Sequence, residues 1–317
     1  MTMHILPYDR NKYVEGHRLG GKRSPEEILS DLIYSWRNNS LAKPTQRVFP
    51  LHGLPGTGKS WLLLYLADQV FNEAVYIDLN ERRNYPTHIE FLNEMKKKAK
   101  QGSFQKNLLL IDHVPDTKTD EYLKLFEEQV LIPYYNQGGL LIFAQQCLRN
   151  WCWDALPHPP PPFILSGFNQ DSRKKLWKKY NLPIDAKDRF WELREISPLL
   201  ISLRCQAKDI VEVAEVYLRY WLEHIDPPAI ENLKRELRLA GALTWLDGML
   251  DGSKMNEIIR LIDENQTNYL DMLYTLDQRQ WIMPPSDEWV ESIRTVLNLW
   301  FRQMEPELTK EMDKRFG

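Results

Sequence analysis

The sequence predicts an α/β fold, a parallel sheet with helices on both faces, followed by an all-helical region. Three observations lead to this prediction. Short apolar stretches alternate with helical patterns in the first half of the 317-residue chain, which is typical of a parallel sheet. A glycine-rich loop joins the first of these stretches to an apolar helical stretch. After Phe168, helical periodicity dominates and strand-like stretches become rare.

Five apolar stretches are expected to form the strands of the sheet. They are RVFPLH (47–52), VYIDLN (75–80), NLLLID (107–112), the stretch from Gly139 into Cys147, and FILSGF (163–168). The spacing of apolar residues predicts one amphipathic helix over 26–36, before the first strand. A second helix is predicted over 121–135, broken near Pro133 because proline cannot donate a backbone hydrogen bond.

The loop GLPGTGKS, residues 53–60, has the spacing of a Walker A phosphate-binding motif. Its glycines allow backbone N–H groups to turn inward toward an anion, and the following helix adds its positive N-terminal end. Lys59 is expected to reach the β- and γ-phosphates, and the Ser60 hydroxyl to bind Mg²⁺. The nucleotide contacts predicted here are Gly53, Pro55, Gly56, Thr57, Gly58, Lys59, Ser60 and Trp61. We therefore expect ATP or ADP with Mg²⁺ as the ligand.

The stretch NLLLID predicts a second acidic site, because it is a buried strand that ends in Asp112. Such a carboxylate holds Mg²⁺ in P-loop proteins. Many P-loop ATPases place a glutamate directly after it to polarise the attacking water, whereas this chain has His113. His113 and Asp116 are both candidate general bases. We expect slow hydrolysis, or binding without turnover.

Three polar residues lie at the end of the next predicted strand or just after it. Gln145 and Gln146 lie where P-loop ATPases often place a residue that senses the γ-phosphate, and a pair of solvated turn glutamines is the alternative. Arg149 is either a catalytic contact to the γ-phosphate, in this chain or in a neighbouring subunit, or a surface arginine. The pattern alone does not decide between these alternatives.

The composition is that of an ordinary soluble protein. Hydrophobic residues make up 43% of the chain, and the net charge of −3 gives no general attraction to nucleic acid. The three cysteines lack the spacing of a disulfide framework or a zinc site. The polar N-terminus does not resemble a signal peptide, and no run of 18 apolar residues predicts a membrane span. These features predict a cytoplasmic location without membrane partners.

The chain is expected to divide into an N-terminal segment (1–45), a nucleotide-binding domain (46–170), a helical lid (171–225) and a winged-helix-like domain with a final helix (226–317). Helices are predicted over 229–247, 254–263, 267–278 and 287–303, with a short strand at QWIMPP (280–285) and a charged tail at the end. Three helices followed by a short strand favour the winged-helix interpretation.

The sequence resembles the STAND class of P-loop NTPases, the signalling relatives of AAA+ and NB-ARC ATPases. The likeness is carried by GLPGTGKSWLLLYLA, LLLIDHVPD, FEEQVLIPYYNQGGLLIFAQQCLRNW, ILSGFNQDSRKKLW, ISPLLISLRCQAK and LAGALTWLDGMLDGSKMNEII. The resemblance implies an ATP site that is completed by a helical lid. In that site Pro198 would lie against the adenine, and Arg149 would contact the γ-phosphate. His113 departs from the pattern, since the family usually has an acidic residue there.

The leading hypothesis is a nucleotide-dependent switch or assembly protein whose partners are other proteins or copies of itself. A DNA-associated ATPase, an initiator or loader that binds DNA through the winged helix, is the alternative. Residues 235–285 carry five basic and eight acidic side chains, which disfavours phosphate contacts. A small-molecule kinase is a third candidate, disfavoured because the C-terminal half offers no evident acceptor site.

Overall fold

The computed structural model describes residues 8, 13, 17–18, 23–41, 43–101, 108–114, 121–145, 153–159, 163–180, 197–206, 210–225, 230–246, 250–262, 268–279, 281–283 and 288–317. The described residues up to 180 form one compact unit, here called the sheet unit. Those from 197 onward form a second compact unit, here called the helical unit. None of the described helices is long and apolar enough to cross a bilayer.

The described part of the sheet unit is built on six strands. They are β1 (His17–Arg18), β2 (Val48–His52), β3 (Val75–Asp78), β4 (Leu108–Val114), β5 (Leu140–Gln145) and β6 (Phe163–Ser166). The order across the sheet is β1-β6-β2-β5-β4-β3. The pairs from β6 to β3 are parallel, and β1 is antiparallel to β6. The five predicted strands are confirmed, and β1 is an addition that the sequence did not indicate.

Six described α-helices accompany the strands. They are α1 (Pro25–Arg37), α2 (Lys59–Tyr65), α3 (His88–Gln101), α4 (Glu121–Phe126), α5 (Ile132–Asn136) and α6 (Gln170–Tyr180). A capping box starts α1, where the Ser24 and Glu27 side chains accept each other's backbone N–H groups. The π-helical segment Glu127–Leu131 joins α4 to α5. The predicted interruption thus lies in the turn before Pro133, which has no N–H to donate back to residue 129.

Both faces of the sheet are buried, as predicted. Leu108 and Leu110 of β4 pack in one core cluster with side chains of α1 and α2. Leu109 and Ile111 of the same strand pack in the opposite cluster with side chains of α3 and α4. Since successive strand residues point to opposite faces, a continuous apolar run such as β4 indicates a strand covered on both sides.

The helical unit contains seven described α-helices and a two-stranded hairpin. The elements are α7 (Pro198–Gln206), α8 (Ile210–Ile225), α9 (Ile230–Leu243), α10 (Gly252–Ile262), α11 (Tyr269–Gln278), β7 (Ile282–Met283), β8 (Glu288–Trp289), α12 (Glu291–Met304) and α13 (Pro306–Phe316). Helices α8 and α9 both pack against α12. At Gly241 an added Cβ would lie 2.8 Å from the Phe301 Cβ, so α9 and α12 approach closely there.

Two predictions for this unit are wrong in detail. The last predicted helix starts at Glu291 rather than 287, because Glu288 and Trp289 pair with β7 as a strand. The expected charged tail is helix α13, whose Met312 is buried. The finer division into a lid and a winged-helix domain stays a prediction, with α6 placed in the sheet unit and α7 and α8 in the helical unit.

Candidate functional site

The candidate site lies at the edge of the sheet where the parallel strands end. There β2 ends at His52, β3 at Asp78 and β5 at Gln145, and β4 carries Asp112 near its end. Strand β5 lies between β2 and β4. Gln145 therefore lies between the strand that leads into residues 53–60 and the strand that carries Asp112. The carboxyl edge of an open parallel sheet is where such folds bind ligands.

The loop after β2 adopts a conformation that requires glycine. Gly56 and Gly58 have φ values of 77° and 95°, in the left-handed region that residues with a Cβ rarely adopt. Gly58 is the N-cap of α2 and provides no side-chain cap. The Thr57 hydroxyl donates to the Leu54 carbonyl at 2.8 Å, which closes the loop. The first turn of α2 thus begins without a side-chain acceptor at its positive end.

Gly53 is required for a different reason, the close approach of a neighbouring strand. An added Cβ would lie 2.7 Å from the Leu165 carbonyl oxygen of β6 and 2.7 Å from the Thr57 hydroxyl. Contacts that short cannot form without moving backbone. The loop is therefore held against β6 from its first residue.

The Lys59 side chain lies inside the loop and is only 8% exposed. Its Nζ donates to the carbonyl oxygens of Gly53, at 2.5 Å, and Leu54, at 3.0 Å. Burial lowers the pKa of Lys59 to about 8, although the charge of Asp112 acts in the opposite direction. Among the described residues, the loop thus encloses a cation whose hydrogen-bond partners are neutral carbonyl groups.

Asp112 is almost fully buried, with 1% of its surface exposed. Its Oδ2 accepts a hydrogen bond from the Tyr76 hydroxyl at 2.7 Å, and its Oδ1 accepts one from the His113 backbone N–H at 2.8 Å. Burial, followed by the Asp112 charge, raises the pKa of Tyr76, so this hydroxyl stays a donor. Sequence reasoning missed Tyr76, although its place two residues before the end of β3 brings it to the same edge.

His113 lies at an irregularity in the sheet. The register between β4 and β5 shifts between Ile111 and Val114, and His113 has a φ of 53°. Such bulges often turn a side chain toward a functional site. Here His113 Nδ1 is 2.8 Å from Asp78 Oδ1. The imidazole is therefore held against a carboxylate.

The two neighbouring carboxylates govern the protonation of His113. Burial disfavours the charged ring, but the hydrogen bond to Asp78 and the charges of Asp112 and Asp78 outweigh it and raise the pKa of His113. Asp78 also accepts the Asn80 backbone N–H at 2.8 Å. Sequence reasoning missed Asp78. Two strand stretches that both end in aspartate, VYID and LLLID, would have indicated it.

Gln145 is fully buried, at 0% exposure, so the solvated-turn alternative is wrong for this residue. Its Oε1 lies 3.2 Å from His52 Nε2 on the neighbouring strand. Burial lowers the pKa of His52 to about 4, against the effect of the Gln145 hydrogen bond and with a smaller contribution from Lys59. Burial therefore favours a neutral His52, which is the last residue of β2 before the loop and contacts Gln145. Sequence reasoning missed it.

The remaining predicted site residues lie in α2, in the loop, in the helical unit or outside the described residues. Ser60 and Trp61 lie in the first turn of α2, where the Trp61 ring packs edge-on against Tyr8 at 5.5 Å between centroids. Pro55 is buried within the loop. Pro198 is the first residue of α7 in the helical unit. Asp116, Gln146 and Arg149 lie outside the described residues.

Comparison with known proteins finds likeness in three-dimensional structure. No protein-family model matches the chain, and no curated protein does. The Walker-type ATPase paby2304 of Pyrococcus abyssi is 13% identical, with a TM-score of 0.53 over 86% of this chain and 95% of that one.

Two further solved structures match less well. The replication initiator DnaA bound to AMPPCP and single-stranded DNA has a TM-score of 0.44 at 13% identity, over 96% of this chain and 99% of that one. The FIGL-1 AAA domain in complex with ADP has a TM-score of 0.44 at 13% identity, over 87% and 99%. Likeness at that level carries no conclusion for this chain. With its parallel five-stranded arrangement and the Walker-type ATPase as a neighbour, the chain has the α/β fold of P-loop NTPases.

Proposed function

We propose that this chain is an ATP-binding NTPase of the AAA+/STAND type that acts as a nucleotide-dependent switch or assembly protein, with slow or no hydrolysis. The observation that carries the proposal is the buried ammonium group of Lys59 inside the loop of residues 53–60. Burying a cation is costly unless an anion accompanies it. A triphosphate is the anion that the loop geometry suits.

The support lies in how Lys59 is surrounded. Among the described residues Lys59 makes no ion pair, and its Nζ contacts two loop carbonyls. A phosphate oxygen would give the ammonium group a charged partner, and the positive-φ glycines Gly56 and Gly58 shape the loop so that its amides surround the same anion. The lowered pKa of Lys59 is consistent with a cation that lacks such a partner.

The Asp112 carboxylate fits a magnesium ion as well. Each of its oxygens accepts one protein hydrogen bond, and a carboxylate oxygen has a second lone pair. Mg²⁺ takes one or two protein oxygens and fills its remaining positions with phosphate and water. Accordingly, no cluster of three or more metal-binding side chains is needed, and none occurs among the described residues. Ser60 and Asp112 would hold the ion, which would supply charge neutralisation at the phosphates.

Slow turnover is proposed because of how His113 is held. Its Nδ1 is bound to Asp78, so a water would contact the ring through Nε2. The raised pKa leaves a larger share of the ring protonated at neutral pH than in an ordinary histidine, and imidazolium cannot accept a proton. A site that binds ATP well and cleaves it slowly suits a switch better than a motor.

Protein partners or self-association are favoured over DNA. Helix α11 exposes Leu270 and Tyr274, at 54% and 65%, one turn apart and next to the acidic Asp271. Apolar and acidic side chains on one helix suit a protein surface better than a phosphate backbone.

The switch is tested by measuring the mass and the hydrodynamic radius of the purified chain without nucleotide, with ADP, and with a non-hydrolysable ATP analogue. We expect nucleotide to bind with micromolar or tighter affinity, and the analogue to change the mass or radius relative to ADP. Tight binding with identical mass and radius in all three states, together with rapid steady turnover, would indicate an ordinary enzyme instead.

A further inference from the structure

The sheet unit has a cleft of about 500 Å³ at the edge of the sheet opposite the candidate nucleotide site. It is lined by the end of α1, the connection from α1 to β2, the end of α5 and the connection from α5 to β5. These connections lie at the amino ends of β2 and β5, whereas residues 53–60 follow the carboxyl end of β2. The volume falls within the range of about 300 to 1,000 Å³ that small-molecule sites occupy. This cleft is therefore separate from the predicted ATP site.

The lining of the cleft is polar and positively charged. Its described members are Trp36, Asn39, Leu41, Lys43, Pro44, Arg47, Asn136, Gln137 and Gly138. Two of these described residues are cationic, three carry amide side chains and none is acidic. The amides can donate to an anion from several directions, and the remaining residues provide apolar or backbone walls.

Arg47 is held in a fixed position within this lining. Its Nη1 donates to the Tyr135 carbonyl oxygen at 2.7 Å, and its guanidinium carbon lies 4.3 Å from the centre of the Tyr135 ring. Stacking and a backbone contact fix the plane of the guanidinium group while using one of its five N–H donors. A guanidinium fixed in this way loses little further conformational entropy when it binds a ligand.

No carboxylate of the described residues balances the positive charge of the cleft. Among the described residues, neither Arg47 nor Lys43 forms an ion pair, and the Lys43 side chain is exposed at the rim. The indole N–H of Trp36 already has an acceptor, since it donates to the Gly138 carbonyl at 2.9 Å. Trp36 therefore forms a wall, and the two cations and three amides supply the recognition.

We propose that this cleft binds a small anion whose carboxylate or phosphate oxygens contact Arg47 and Lys43 together. Arg47 provides the fixed planar donor, because guanidinium groups pair with such oxyanions through two parallel hydrogen bonds. Lys43 adds a mobile charge at the rim. This site is independent of the proposed ATP site and does not require nucleotide binding.

The proposal is tested by calorimetric titration of the full chain with two probes, the tricarboxylate tricarballylate and inorganic phosphate. We expect at least one probe to bind. Arg47→Gln should weaken its binding by about tenfold or more, because a charged bidentate contact is lost. Lys43→Glu should also weaken it by about tenfold, since it reverses a charge at the rim. Whichever probe binds more tightly identifies the ligand as a carboxylate or a phosphate.

Two control variants separate the cleft from other sites. Lys254→Glu changes an exposed lysine on α10 in the helical unit, and binding of the probe should persist. Lys59→Ala should also leave the probe bound at the cleft. Because Arg47 packs against Tyr135, Arg47→Gln also removes a structural contact, so Lys43→Glu, which alters an exposed side chain, is the deciding variant. The proposal is overturned if neither probe binds, if Lys43→Glu binds as wild type, or if Lys59→Ala removes the binding.

Discussion

The candidate site is defined at the scale of single residues by ionisable groups in contrasting surroundings. His52 and His113 lie on the same edge of the sheet. His52 contacts a neutral amide and is kept uncharged by burial, whereas His113 contacts Asp78, and the carboxylates around it favour its charged form. Burial disfavours the charged form of both rings, and only beside His113 do neighbouring carboxylates outweigh it.

The buried neutral state of His52 predicts a loss of stability in acid. Its folded pKa of about 4 lies below the unfolded value of 6.5, so between these pH values the unfolded chain binds a proton that the folded chain does not. The free energy of unfolding should therefore fall by about 2 kcal/mol from this group between pH 7 and pH 5. His52→Gln should lack that loss. Urea unfolding of both proteins at pH 7, 6 and 5 measures the difference.

The matched control for this measurement removes an exposed histidine in the same unit, as in His158→Gln. If the difference in unfolding free energy between wild type and His52→Gln stays constant from pH 7 to pH 5, then His52 is not buried in its neutral form.

His113 is predicted to matter for turnover and not for nucleotide affinity. His113→Ala should lower the ATP hydrolysis rate by about tenfold or more, because it removes the candidate base. The dissociation constant for ATP should change by less than about threefold, since Lys59 and the loop remain. Single-turnover hydrolysis and equilibrium binding separate the two effects. Unchanged turnover would remove His113 from the mechanism.

At the scale of elements, the order of the strands assembles the site. Strand β5 lies between β2 and β4, so its last residue, Gln145, pairs with His52 on one side and with Val114 on the other. A substitution at Gln145 would therefore disturb both β2, which precedes the loop, and β4, which carries Asp112. Sequence spacing alone could not show this, because chain order does not fix the order of parallel strands.

The π-helical segment between α4 and α5 also has a positioning role. Its buried Glu127 accepts the backbone N–H groups of Asp154, Ala155 and Leu156, at 3.1, 2.8 and 2.8 Å. Glu127→Gln keeps the shape but replaces one acceptor oxygen by an N–H donor. We expect the free energy of unfolding to fall by about 1 to 3 kcal/mol, because a buried N–H group would lose its partner. Chemical denaturation of wild type and Glu127→Gln measures this change in the free energy of unfolding.

The neighbouring Glu128→Gln is the matched control, since Glu128 lies in the same segment with its side chain exposed. Its effect should lie within about 0.5 kcal/mol of wild type. Equal effects of the two substitutions would mean that Glu127 does not anchor residues 154–156.

At the scale of the whole molecule, the sequence predicted the class of fold well. The five parallel strands and their flanking helices follow from buried apolar runs such as β4 and from the glycine-rich loop, which are strong local signals. The sequence could not indicate β1, a two-residue strand formed only by pairing with β6. Nor could it indicate α13, because charged residues dominate this segment and only a few of its residues are buried.

The contacts around the site were harder to foresee than the loop itself. Residues 53–60 are recognisable because one conformation imposes several residue types at fixed positions. The Tyr76–Asp112 and Asp78–His113 contacts join neighbouring strands, and they depend on register, which a single sequence does not specify.

The most direct test of the account is the affinity of the purified chain for ATP with Mg²⁺, measured by calorimetry for wild type, Lys59→Ala and the surface control Lys254→Ala. The Lys59 side chain lies inside the loop, where the phosphates are proposed to bind. Lys59→Ala should therefore bind ATP at least about 100-fold more weakly, a loss of about 2.7 kcal/mol, while the protein remains folded. The control should bind as wild type. If Lys59→Ala binds ATP as tightly as wild type, the loop of residues 53–60 is not the nucleotide site.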